Sequence, residues 1–71
     1  MKMVAVFKTD VKYQKQAEFV LSILLIEFPD AKINFDLDDC DKILRVEGTH
    51  FSPEAVQELI ENLNHICEKL E

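Results

Sequence analysis

The chain has one glycine, two prolines, two cysteines and no tryptophan in 71 residues. A single glycine, Gly48, all but excludes a phosphate cradle, in which several backbone N–H groups must approach a ligand closely. Two cysteines, Cys40 and Cys67, are too few for a disulfide framework, and no CxxC or HxxxH spacing accompanies them. No stretch reaches the ~18 apolar residues of a membrane span. The longest apolar-rich run, Phe19 to Phe28, is interrupted by Ser22 and Glu27. Between Lys2 and Thr9 there is no sustained apolar run of the signal-peptide kind, so the chain reads as cytoplasmic. Positive charge is also scarce, with 8 basic against 14 acidic residues and a net charge of -6. Six acids fall between Glu27 and Asp41 against the single Lys32. Such a surface repels nucleic-acid phosphates and anionic lipid, so neither is an expected partner. No Ser-His-Asp order and no basic-aromatic stripe is present, and the acids cluster by turn chemistry rather than beside a nucleophile. The chain therefore reads as a non-enzyme with no cofactor.

What is present is an ordered composition, 48% hydrophobic, and a length that makes one domain, 1–71. Met3-Val4-Ala5-Val6-Phe7 reads as a first strand. Thr9 or Asp10 is placed to cap the helix that follows. From Tyr13 to Phe28, Ala17, Val20, Leu21, Leu24 and Phe28 recur at helical spacing as a core stripe. Phe19, Ile23 and Ile26 form a second stripe on an adjacent face. Pro29 ends this helix. Ile33, Phe35 and Leu37 alternate with Asn34, Asp36 and Asp38 as strand two. Asp38-Asp39-Cys40-Asp41 is a turn, and Ile43 to Val46 is strand three, broken at Gly48. Ser52-Pro53-Glu54 starts a helix with cap, proline and acid in their preferred places. Val56, Leu59, Ile60 and Leu63 carry its core stripe. Asn64 is placed to end it in the left-handed conformation. Residues 66–70 then read as a fourth strand, the alternative being the end of a longer helix.

This order predicts an α+β fold of the ferredoxin-like βαββαβ type: a four-stranded antiparallel sheet with two helices on one face, at 13–28 and 53–63. With strands one and three central, the exit of strand one, the hairpin tip and the exit of helix two share one end of the domain.

On this layout the chain resembles the heavy-metal-associated domain family, the fold of copper chaperones. The local match is strongest at Phe35-Asp36-Leu37, the acidic turn, and Asp41-Lys42-Ile43-Leu44-Arg45-Val46-Glu47-Gly48. It is similar in particular to small bacterial members of that superfamily that lack metal ligands. The family motif is Met-x-Cys-x-x-Cys, with apolar helix positions four and eight residues later. Anchored on Val20 and Leu24, it places Met on Val11 and the two cysteines on Tyr13 and Gln16. A phenol and an amide cannot replace two soft thiolates for Cu(I) or Zn(II). The resemblance implies the fold with its metal loop lost.

Two groups of residues are candidates for function. Cys40, in the acidic turn, and His65, after helix two, are expected near the end where that loop lies, with Cys67 two residues on. With Asp39 or Asp41 they offer ligand types for zinc or copper, although the expected reading is no resident metal. Tyr13 stands exposed at the helix entry. The apolar stripe Phe19, Ile23 and Ile26 is the other candidate, together with Met3, Phe7 and Ile43 on the open sheet face if Val4, Val6, Leu44 and Val46 face the helices. One thin core cannot absorb both sets. The leading expectation is protein interaction, with a foreign protein or as a homodimer. Metal binding or delivery through Cys40 and His65, and a small-molecule sensing module, are the alternatives.

Overall fold

Leu44 and Val46 alternate with Ile43 and Arg45, and that alternation sets the inner face of the sheet. In the computed structural model, which describes residues 1–70, the elements run β1 (Met3–Thr9), α1 (Gln14–Glu27), β2 (Lys32–Asp36), β3 (Ile43–Gly48), α2 (Pro53–Asn62) and β4 (Cys67–Leu70). The strands form one antiparallel sheet in the order β2-β3-β1-β4. This is the expected ferredoxin-like α+β arrangement, and residues 67–70 are its fourth strand. Ala5, Phe7, Leu44 and Val46 from the two central strands pack with Val20 and Leu24 of α1 and Val56 and Ile60 of α2 in one core. Both helices therefore cover the same face. No helix among the described residues is long and apolar enough to cross a membrane.

The helix ends follow from local chemistry. Phe28 N–H still donates to the Leu24 carbonyl at 2.7 Å, but Pro29 follows and α1 stops at Glu27. The Ser52 hydroxyl accepts from Ala55 N–H at 3.3 Å, with Pro53 as the first residue of α2 and Glu54 in its first turn. At its end Asn64 takes the left-handed conformation, φ 69°. Asn64 N–H donates to the Glu61 carbonyl at 3.0 Å and His65 N–H to the Ile60 carbonyl at 3.3 Å, the paired bonds of a Schellman motif. Asn64 thus acts as the expected stop and turns the chain into β4.

Two expectations are corrected. Thr9 and Asp10 do not cap α1, because the helix begins later, with Tyr13 at its N-cap position. The first strand also faces the other way. Phe7 is fully buried and lies opposite Leu44, and Ala5 lies opposite Val46. Phe7 is therefore a core residue and not part of the open face. Met3 shares its side of the strand, exposed at the strand start, and only Ile43 of the three lies on the open face. The open face carries Val4, Val6 and Ile43 among Lys8, Arg45 and Glu47. Met3 to Phe7 is apolar throughout and offers no alternation from which to choose a side. Volume decides: the inner layer takes the ring of Phe7, and the outer side keeps valines beside charged neighbours.

Truncating the inner side chains is expected to be costly. Leu24→Ala should destabilise by about 2–5 kcal/mol and Phe7→Ala by about 3–5 kcal/mol, whereas Val4→Ala should stay within about 1 kcal/mol. Urea midpoints check this, and a larger loss at Val4 than at Phe7 would reverse the assignment of the two faces.

Candidate functional site

The end of β1 gathers three connections. The Thr9 side chain is buried, yet each of its hydrogen-bonding roles is filled. Its hydroxyl donates to the Lys42 carbonyl at 2.6 Å and accepts from Val11 N–H at 3.2 Å, while its own N–H donates to the Asp41 carbonyl at 3.1 Å. The hairpin tip is folded to meet it. Asp39 Oδ1 accepts from Asp41 N–H at 2.8 Å, Lys42 N–H donates to the Asp39 carbonyl at 3.0 Å, and Lys42 adopts φ 48°. Lys42 Nζ donates to the Leu37 carbonyl at 2.9 Å, so the one left-handed lysine is held at both ends.

Asp10 makes the third connection. Its Oδ1 accepts from Ile66 N–H at 2.9 Å and lies 3.0 Å from His65 Nδ1. Partial burial pushes the Asp10 carboxyl up, but the Ile66 and His65 contacts outweigh it and hold it below the ordinary carboxylate value. The exit of β1, the hairpin tip and the exit of α2 do share one end of the domain, as the topology implies. The Asp10–His65 contact spans 55 residues, and no local motif announces it.

The candidate ligands are distributed unevenly over this end. Cys40 is exposed and lies with Asp39 and Asp41 so that one ligand atom of each falls within 4.8 Å of the others. No group of three or more such residues, among those described, includes His65 or Cys67. His65 is engaged with Asp10. Cys67 is buried at the root of β4, opposite Thr9, and burial, helped by the charge of Glu61, pushes its thiol up to about 12. A thiol so placed is a small core residue and a poor source of thiolate.

At the entry to α1, Val11 is fully buried and Tyr13 exposed. The Gln16 carboxamide oxygen accepts from both Lys12 and Tyr13 N–H at 3.2 Å. It closes the helix start and satisfies two donors that would otherwise point to solvent. The residue that aligns with a metal-family cysteine therefore has a structural task of its own.

The outward surface of α1 carries a group of exposed apolar residues. Phe19 is 59% exposed, Ile26 77% and Leu25 44%, while Ile23 is half-buried. Ser22 sits among them, its hydroxyl donating to the Phe19 carbonyl at 2.7 Å. On the opposite side of the domain the open sheet is laced with charge. Glu47 Oε2 lies 3.0 Å from Lys2 Nζ and Glu47 Oε1 3.6 Å from Arg45, and Lys8 pairs with Asp41 at 3.6 Å. The Lys2 contact holds the Glu47 carboxyl low. A shallow depression on α2, lined by Ala55, Glu58, Leu59, Asn62 and Leu63, is open to solvent.

Neither a family model, a curated protein nor a solved structure matches the chain.

Two outcomes test this geometry. Thr9→Val keeps the shape of the side chain but leaves the Lys42 carbonyl and Val11 N–H without their partner. A loss of about 1–3 kcal/mol is expected, with Thr9→Ser recovering most of it, and equal denaturation midpoints for Val and Thr would show the hydroxyl to be idle. Zinc titration of the reduced protein should show weak binding only, unchanged by His65→Ala. A tight one-to-one complex lost with Cys40→Ser and His65→Ala would restore the metal-delivery reading.

Proposed function

We propose that the chain is a non-enzymatic cytoplasmic interaction module of the heavy-metal-associated plan that binds protein through the outward face of α1. The observation that carries this is the exposure of Phe19 and Ile26 on a helix whose opposite face is already fully used by Ala17, Val20 and Leu24. A helix apolar over so much of its circumference fits burial on two sides. Fully covering a Phe or Ile side chain is worth about 1.5–3 kcal/mol, and the uncovered part of these two is the gain left for a partner. Ser22, at the middle of the face, satisfies its hydroxyl within its own helix, so covering it strands no polar group. The family part of the reading is supported by the strand order and by the buried positions of Val11, Val20 and Leu24, and it rests on fold and pattern alone. Gln16, engaged in closing the helix, supports a loop adapted to structure rather than to metal.

A photo-crosslinking residue placed at Phe19 or Ile26 in the chain's native host is the direct test. Defined protein adducts are expected from both sites, whether to a foreign protein or to the chain itself. A control position on the open sheet, Glu68, should give none. Adducts from the control alone, or from no position, would remove α1 as the working surface.

A further inference from the structure

β2 is an open edge of the sheet. Its only neighbour is β3, and beyond that ladder no backbone-to-backbone hydrogen bond among the described residues involves Lys32 to Asp36. Alternate N–H and C=O groups along its outer side are therefore free to pair with another strand. The strand has no proline, and its register with β3 runs without a bulge, so neither of these devices blocks such pairing. Its inward side chains, Ile33 and Phe35, pack on the rim of the core and are only half-buried.

The order of side chains along this edge is a second, independent observation. Lys32, Asn34 and Asp36 stand exposed on the open face of the sheet, a base at one end, an acid at the other and an amide between them. The ion pairs of the described residues join Lys2 and Arg45 to Glu47, Lys8 to Asp41 and His65 to Asp10, and include neither Lys32 nor Asp36. In the reverse direction the same strand presents acid, amide and base. It is complementary to its own antiparallel copy.

We infer that β2 pairs with β2 of a second copy of the chain, antiparallel about a twofold axis that passes between the two Asn34 residues. Lys32 of each copy then lies directly opposite Asp36 of the other, so the favourable pair is made twice. On the inner side Ile33 lies opposite Phe35, and both gain cover. An axis normal to the sheet keeps the helices of both copies on one face, and the product is a single eight-stranded sheet. Asp30 and Asp38 would be the next pair in this register, but both lie in turns outside the strand, so the ladder is limited to its five residues. An axis through Ile33 or Phe35 instead leaves the Lys32–Asp36 match unmade. The other edge of the sheet has no such match. A twofold axis at either middle residue of β4 sets Glu68 against Glu68 or Lys69 against Lys69. The inference uses a different surface from the α1 reading and does not depend on it.

Sedimentation velocity at ~100 μM tests the pairing, since a dimer with Kd near 1 μM would then be mostly formed. The expected result is a dimer. Lys32→Glu and Asp36→Lys should each weaken it roughly tenfold, because every change sets like charges together at two symmetric contacts. The double swap should recover most of the lost affinity. Asp36 faces the neutral Ile43 across its own ladder, so Asp36→Lys should leave the melting temperature of the dilute monomer unchanged. Asn34→Cys in a Cys40→Ser background should oxidise to a disulfide-linked dimer, since opposed Cα atoms of an antiparallel pair lie about 4.5–5.5 Å apart, within disulfide reach. Glu68→Cys in the same background should not. A strictly monomeric mass overturns the inference and leaves the α1 reading to its own cross-links. A dimer indifferent to both charge changes, a double swap weaker than either single one, or equal disulfide formation at positions 34 and 68 overturns the β2 pairing.

Discussion

One buried hydroxyl holds the arrangement of this domain. Thr9 ends the central strand β1, and its side chain and backbone bind Lys42, Val11 and Asp41 at once. Successive side chains of a strand alternate, so an inward Thr9 requires an inward Phe7 and an inward Ala5. A shift of one residue would expose the Phe7 ring and drive Val4, Val6 and Lys8 toward the helices. It would also leave a carbonyl of the hairpin and an N–H of the helix entry without partners. The packing of the core and the satisfaction of the polar end therefore select the same register. Asp10 extends the constraint to β4 through Ile66 and His65, and the edge strand is thereby fixed at its first residues.

That register has a consequence for the surfaces. With Phe7 inside, the open face of the sheet keeps Val4, Val6, Ile43 and Leu70 among charged residues, several of which pair with one another. The helix face, with Phe19 and Ile26 exposed, is the surface proposed for a protein partner, and the open sheet mixes its apolar residues with charge. The polar end of the domain is committed in a different sense. Thr9, Asp10, Gln16 and Lys42 all spend their hydrogen bonds on closing loops and helix ends. Cys67 is held as a neutral core thiol, which leaves Cys40 and Asp39 exposed, with a half-buried Asp41, on a turn whose shape is fixed by the hydrogen bonds of Asp39, Lys42 and Thr9.

Much of the fold was legible in the sequence because its signals are local. Pro29, Ser52-Pro53-Glu54 and Asn64 mark three helix ends by backbone chemistry, and the structure puts those ends within a residue or so of the expected places. The alternation of β2 and β3 reads directly. The face of β1 did not, because Met3 to Phe7 is apolar on both sides and the deciding bonds come from Asp41 and Lys42, far along the chain. Thr9 and Asp10 have the side chains of helix caps, and only the late start of α1 at Gln14 shows them to serve other elements. The Asp10–His65 contact was hidden for the same reason: topology brings the two ends together, but no spacing rule names the pair. The outward stripe of α1 was visible as periodicity, with Ile23 less exposed than Phe19 and Ile26.

The remaining question is why so small a domain carries a helix that its own core cannot use on all sides. Isolated helices of this length are marginal in water, and their stability comes from packing. In α1 the local contributions are unhelpful: β-branched Val20, Ile23 and Ile26 have modest helix propensity, and Lys15 and Glu27 oppose the dipole. The inner face alone must hold the helix in the free domain, through Ala17, Val20 and Leu24, with the Gln16 closure at its start. Of these, Lys15, Ile23 and Ile26 lie on or beside the outer face, whereas Val20 packs in the core. The proposed use of that face would account for the composition of the helix: the core of its own domain covers one side of α1, and a protein partner would cover the other.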